Sequence, residues 1–173
     1  MIHLVIGGSG SGKSAYAEDL LKQYGQPPFL YVATMAPWTQ ETERKIERHR
    51  RLREGKGFIT LERYRDLSGL AIPDNGGILL ECISNLLANE LFREDKRPSG
   101  EKAPDAVLKG ISHLARNTDS LVIVTNEVHG DIGSYSEETE DYRALLGRIN
   151  QRLAAMALRV TEVVYGIPVE IKR

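Results

Sequence analysis

A chain of 173 residues is long enough to bury a substantial apolar core as a single domain, 1–173, without disulfide or metal staples. Its 23 Lys and Arg against 24 Asp and Glu leave a formal charge of -1, which argues against a protein whose main business is coating nucleic acid. The single cysteine, Cys82, excludes an internal disulfide framework. No apolar run approaches the ~20 residues needed to cross a bilayer and no signal peptide precedes the first strand-like run, so a cytoplasmic enzyme is expected.

The first strand-like run, Ile2–Ile6, leads directly into Gly7-Gly8-Ser9-Gly10-Ser11-Gly12-Lys13-Ser14. The spacing G-x-x-x-x-G-K-S between a strand and a helix is that of a phosphate-binding P-loop. Its glycines let backbone N–H groups turn toward phosphate oxygens, and the following helix offers its positive N-terminal end. Lys13 is placed to reach the β- and γ-phosphates of a nucleotide, and Ser14 to supply a hydroxyl to Mg²⁺. The helix predicted over 14–24 carries Ala17, Leu20, Leu21 and Tyr24 at helical spacing.

A second strand is predicted at Phe29–Ala33, followed by a helix over 40–54. The stretch Glu41–Arg53 holds six Lys or Arg residues around His49. Three explanations fit it: an exposed helix stabilised by pairs such as Glu47 with Arg51, a phosphate-handling helix, or an RNA contact. His49 adds a nitrogen lone pair able to attack phosphorus.

Strands at Ile59–Glu62 and Gly77–Glu81 come next. Glu81 falls at a strand end, where P-loop proteins keep the acidic residue that manages Mg²⁺, although a solvated glutamate is also common there. Beyond a helix over 83–92, the stretch Arg93–Pro104 mixes charge with Gly and Pro and reads as an exposed loop. A helix over 105–116 precedes the apolar run Leu121–Asn126, whose end offers Thr125, Asn126 and Glu127 either to a ligand or as caps. After a helix over 138–157, the runs Val160–Tyr165 and Val169–Lys172 are separated only by Gly166-Ile167-Pro168. That gap is too short for a crossover and implies an antiparallel hairpin. The alternation as a whole predicts an α/β fold with a mostly parallel sheet and flanking helices.

Several motifs in order resemble the bifunctional adenosylcobinamide kinase/adenosylcobinamide-phosphate guanylyltransferase family of cobalamin biosynthesis. They are the P-loop at 7–14, Tyr31-Val32-Ala33-Thr34, and Lys45-Ile46-Glu47-Arg48-His49-Arg50, which is similar to the family's R-I-x-x-H-R. Thr60-Leu61-Glu62, Leu79-Leu80-Glu81-Cys82-Ile83, Thr125-Asn126-Glu127-Val128 and Gly147-Arg148-Ile149-Asn150-Gln151 follow. Together they cover nearly the whole chain.

The resemblance implies a RecA-like P-loop fold and two reactions: phosphorylation of the aminopropanol hydroxyl of adenosylcobinamide, then transfer of GMP from GTP to the resulting phosphate through a guanylylated histidine, here His49. It implies ATP and GTP as substrates, Mg²⁺ bound through Ser14 and Glu81, catalytic roles for His49 and Lys13, and a homotrimer. By motif, the nucleotide contacts are Gly7, Gly8, Ser9, Gly10, Ser11, Gly12, Lys13, Ser14, Ala33, Thr34, Met35, Arg50, Glu62 and Glu81. Thr39, Gln40, Glu41 and Thr42 stand where the family has acidic residues and a methionine, and His129–Ser134 replaces its Gly-rich, Pro-containing turn. Two other readings of the P-loop stay open: a single-activity small-molecule kinase and a RecA-like nucleotide-dependent binding module.

Overall fold

The computed structural model describes residues 1–92, 102–128 and 136–173. Seven strands form one sheet: β1 (Ile2–Gly7), β2 (Phe29–Ala33), β3 (Phe58–Glu62), β4 (Ile78–Glu81), β5 (Leu121–Asn126), β6 (Arg159–Val164) and β7 (Ile167–Lys172). Their spatial order is β3-β2-β4-β5-β1-β6-β7, and every pairing is parallel except β6 with β7. The helices are α1 (Lys13–Tyr24), α2 (Gln40–Arg53), α3 (Ile83–Leu91), α4 (Lys102–Arg116) and α5 (Glu137–Met156).

The central strands are apolar on both faces because both faces are covered, as a parallel sheet with helical crossovers requires. On one face Leu4, Leu30, Leu80 and Ile123 pack with Leu86 of α3, Ile111 of α4 and Ile149 of α5. On the other, Val5, Tyr31, Leu79 and Val122 pack against Ala17 and Leu21 of α1. Helix α2 belongs to neither layer: Arg53 is its one buried residue.

Register decides what reaches the carboxyl edge of the sheet. Ala33 is level with both Glu62 and Glu81, and Gly7 is level with Asn126. Side chains and loops from five neighbouring strands therefore meet at the edge where open α/β sheets bind ligands.

Two expectations change. The closing hairpin turns on Tyr165-Gly166 alone, with Val164 opposite Ile167. Both turn residues have positive φ, 51° and 80°, the signature of a tight hairpin turn whose twist matches its strands. Pro168 is thus inside β7, an edge strand where its missing N–H breaks no ladder. The loop expected at Arg93–Pro104 ends earlier, because Lys102, Ala103 and Pro104 form the first turn of α4, where a helix N–H has no partner to lose. Residues 93–101 of that stretch, and the turn His129–Ser134, lie outside the described residues.

Candidate active site

The P-loop folds as its spacing predicts. Gly12 caps α1 in a left-handed conformation, φ 90°, that a side chain would strain, and the loop's tight path leaves no room for a Cβ at Gly7, which would lie 2.6 Å from the Val163 carbonyl. The loop is tied to its surroundings by Gly166 N–H donating to Ser11 O at 2.8 Å and Glu127 N–H donating to Gly7 O at 3.1 Å. The Lys13 ammonium bends back over the loop to donate to Gly8 O at 2.9 Å. Burial lowers its pKa, partly opposed by the nearby Cys82 and Glu81.

Across from the loop stands Glu81. The Ser14 hydroxyl donates to Glu81 Oε1, and the Tyr31 hydroxyl donates to Oε2 at 2.8 Å. Burial raises the Tyr31 pKa strongly, reinforced by the adjacent carboxylate, so the phenol remains a donor throughout the usual pH range. The Arg53 guanidinium lies 3.5 Å from the centre of the Tyr31 ring, a cation–π contact. Arg53 is only 5% exposed, yet its Nε and Nη1 have no hydrogen-bond partner among the described residues. Through Arg53, and through Lys56 with Glu18 at 2.8 Å, the C-terminal end of α2 is fastened over the sheet edge.

One cavity of about 530 Å³ gathers these groups. The P-loop lines it from Ser9 to Ser14. Ala33, Met35, Glu62 and Glu81 line it from the strand ends, and Ile46, His49, Arg50 and Arg53 from α2. These four positions are three, four and seven residues apart, the face of a helix that looks one way. Arg50 is ion-paired with Glu62, whose other oxygen accepts from Tyr64 OH at 2.9 Å.

Thr34 does not face the cavity. It is fully buried, donating to Cys82 O at 2.9 Å and accepting from Cys82 N–H at 2.8 Å, so it holds β2 to the end of β4. Thr125 is likewise buried and bonds Asn150, while Asn126 lines the cavity with its amide donating to Ser84 Oγ at 2.6 Å. Thr39 and Thr42, where the motif departs from the family pattern, form a reciprocal capping box that starts α2.

Sequence reasoning missed Tyr31, Arg53 and Asn85 as lining residues. A signal for Arg53 was present, since it stands seven residues after Ile46 on the face that also carries His49. Tyr31 stood in the motif Tyr31-Val32-Ala33-Thr34 with no role attached to it, and Asn85 left no signal, because each reaches the cavity through tertiary packing.

The family model for cobinamide kinase / cobinamide phosphate guanyltransferase matches residues 3–171. The chain belongs to this family. Among family members, the bifunctional adenosylcobalamin biosynthesis protein CobU of Escherichia coli is 38% identical, the alignment covering 99% of this chain and 100% of that protein. CobP of Pseudomonas aeruginosa is 31% identical over 99% of this chain and 98% of its own length. A prototypical ATPase from the type III secretion system of pathogenic bacteria shares the fold, with a TM-score of 0.52, 10% identity, and coverage of 98% of this chain and 56% of its own. This chain and that ATPase therefore share a fold, and of the motifs that carry the family likeness the P-loop, the His49 segment, Glu62, Glu81 and Asn126 line the 530 Å³ cavity.

Proposed function

We propose that the chain phosphorylates adenosylcobinamide and then transfers GMP from GTP to the product, with His49 as the nucleophile that carries the GMP. The observation that supports this reading is that the P-loop, His49 and Glu81 line the same cavity. A triphosphate seated on the P-loop would occupy the cavity that α2 also lines, so a displacement at the α-phosphorus needs no second nucleotide site.

In the transfer half-reaction an imidazole nitrogen of His49 attacks the α-phosphorus. The N–P bond forms as the bond to the bridging α–β oxygen breaks, and pyrophosphate leaves. A phosphate oxygen of the cobinamide phosphate then attacks the same phosphorus, and the N–P bond breaks. Lys13 and Arg50 offset charge on the leaving pyrophosphate and on the transferred phosphoryl oxygens. In the kinase half-reaction the aminopropanol hydroxyl attacks the γ-phosphorus and gives up its proton, the bond to the bridging β–γ oxygen breaks to release the nucleoside diphosphate, and Lys13 serves the same electrostatic role. ATP or GTP serves as phosphoryl donor in that step.

A divalent cation fits at Ser14 and Glu81, whose hydroxyl and carboxylate oxygens already meet. The described residues include no cluster of three or more His, Cys, Asp or Glu side chains suited to a metal. Mg²⁺ suits such a sparse set because it retains water and phosphate oxygens as its remaining ligands, and when bound it neutralises phosphate charge. The protein is expected to act in the cytoplasm as a homotrimer, without nucleic acid, and sedimentation velocity tests the assembly. Among the described residues no helix is long and apolar enough to span a membrane.

The test is the intact mass of the protein after incubation with GTP and Mg²⁺. One added GMP, acid-labile and lost in His49→Ala, is the expected result. His49→Ala should lower GMP transfer at least about a thousand-fold while kinase activity stays within a few-fold. Kinase turnover with no protein-bound GMP would leave a single-activity kinase.

A further inference from the structure

A second cavity of about 380 Å³ adjoins the first, and Met35 and Asn85 line both. Its far wall is Trp38, Arg65 and Phe92. Trp38 is 67% and Phe92 53% exposed, two large aromatic surfaces open to solvent side by side on one cavity. The floor is rigid, because the buried Asn89 amide donates to Thr34 O at 2.8 Å and to Tyr64 O at 3.0 Å.

Two polar side chains of this cavity are uncommitted. Asn85, half-buried at the junction, makes no side-chain hydrogen bond among the described residues, and neither does Arg65, whose guanidinium lies 5.9 Å from the Trp38 ring centre. Among the described residues no carboxylate lines the cavity. The lining therefore offers aromatic surface at the mouth, hydrogen-bonding groups along the wall, a cation, and an opening toward the P-loop.

We propose that this second cavity is the acceptor site, taking the amide-rimmed edge of the corrin ring of cobinamide. This inference rests on the function proposed above. A corrin is a broad, flat macrocycle edged with carboxamides. Trp38 and Phe92 give its face an apolar platform, and Arg65 and Asn85 supply donors for amide carbonyls. The volume holds one edge of so large a ligand and leaves the rest over the exposed aromatics. The aminopropanol arm then passes Asn85 and Met35 into the nucleotide cavity, which brings its hydroxyl, and afterwards its phosphate, to the phosphorus that reacts. Arg65, the cation of the cavity, also suits the phosphorylated acceptor.

Trp38 is the only tryptophan of the chain, so its emission reads occupancy directly. Titration of the wild-type protein with cobinamide should quench it saturably. Phe92→Ala and Arg65→Ala should each weaken the Kd for cobinamide about tenfold, the loss of one well-packed anchor, and leave the Kd for GTP unchanged. Circular dichroism melting confirms that each variant is folded. An absence of saturable quenching in a wild type that still turns over cobinamide would leave the cavity unoccupied and overturn this inference alone, whereas an absence of both quenching and turnover would overturn the proposed function. Saturable quenching with the same Kd in wild type and both variants would place the acceptor elsewhere and overturn this inference alone. Weakened GTP binding with cobinamide binding unchanged would assign the cavity to the nucleotide, with the same consequence.

Discussion

Both carboxylate oxygens of Glu81 are engaged, one by Ser14 and the other by Tyr31, so the Tyr31 hydroxyl sets how that carboxylate faces the P-loop. Tyr31→Phe keeps the ring under Arg53 and removes only this donor. It should cost roughly 1–3 kcal/mol in urea unfolding, the range for stranding a partner of a charged acceptor, and should slow both half-reactions if Glu81 holds the cation. Unchanged stability would mean that water replaces the phenol. The P-loop was legible because its chemistry is written in consecutive residues, whereas Tyr31 looked like any strand aromatic until packing set it beside a residue fifty positions later. A second buried polar group makes a pH prediction. His3 is bonded by the hydroxyls of Tyr24 and Thr161, each at 2.8 Å from a ring nitrogen, and burial, aided by Arg159, lowers its pKa to about 4. The unfolded chain, with a histidine near its ordinary value of 6.5, binds more protons between these limits. Stability from this group is therefore complete above about pH 6.5 and falls as pH drops toward 4, by roughly 3 kcal/mol in all. His3→Gln, which cannot titrate, should show a shallower decline over that window than the wild type, and parallel curves would disprove the assignment.

Helix α2 is where the element-level reading was weakest. Its charge pattern left an exposed helix, a phosphate-handling helix and an RNA contact undecided, since a run of charges carries no record of what lies opposite it. The fold supplies that record: most of α2 is solvent-exposed, yet the face bearing Ile46, His49, Arg50 and Arg53 overlooks the P-loop. With Arg53 its only buried residue, α2 is tied to the sheet toward its C-terminal end, by the Arg50–Glu62, Arg53–Tyr31 and Lys56–Glu18 contacts, while the Thr39–Thr42 capping box closes its other end. Such an element opens locally at a small fraction of the global unfolding free energy. Amide exchange should accordingly be faster in α2 than in α1 or the central strands. Thr39→Ala, which removes the cap, should raise α2 exchange by the equivalent of about 1 kcal/mol while leaving the global urea midpoint nearly unchanged. A matching fall in global stability would show that α2 is part of the cooperative core. The strands were easier to recognise because burial on both faces leaves unbroken apolar runs, and the last strand starts two residues before the expected Val169 because an edge strand tolerates Pro168.

For the molecule as a whole, alternation of strand and helix predicted a mostly parallel sheet but not the order β3-β2-β4-β5-β1-β6-β7, which depends on which faces find one another. That order gives the P-loop its influence. β1 lies between β5 and β6, and the loop that leaves it is bonded at Gly7 to the residue after β5 and at Ser11 to the β6–β7 turn, while α1 packs across the opposite layer. A ligand that grips the loop therefore binds a junction of the cooperative core, and its binding energy must be lost before the sheet unfolds. GTP at a hundred times its Kd should add about 2.7 kcal/mol, which for a domain of this size is a rise of roughly 5–10 °C in melting temperature. Lys13→Ala should abolish most of that rise, because its ammonium is the cation built into the loop, whereas His49→Ala should keep it, because α2 stands outside the core. Differential scanning fluorimetry of the two variants with and without GTP and Mg²⁺ separates the cases. A lost shift in His49→Ala would mean that nucleotide affinity depends on α2 as much as on the P-loop, and α2 would then be part of the binding site before any covalent step.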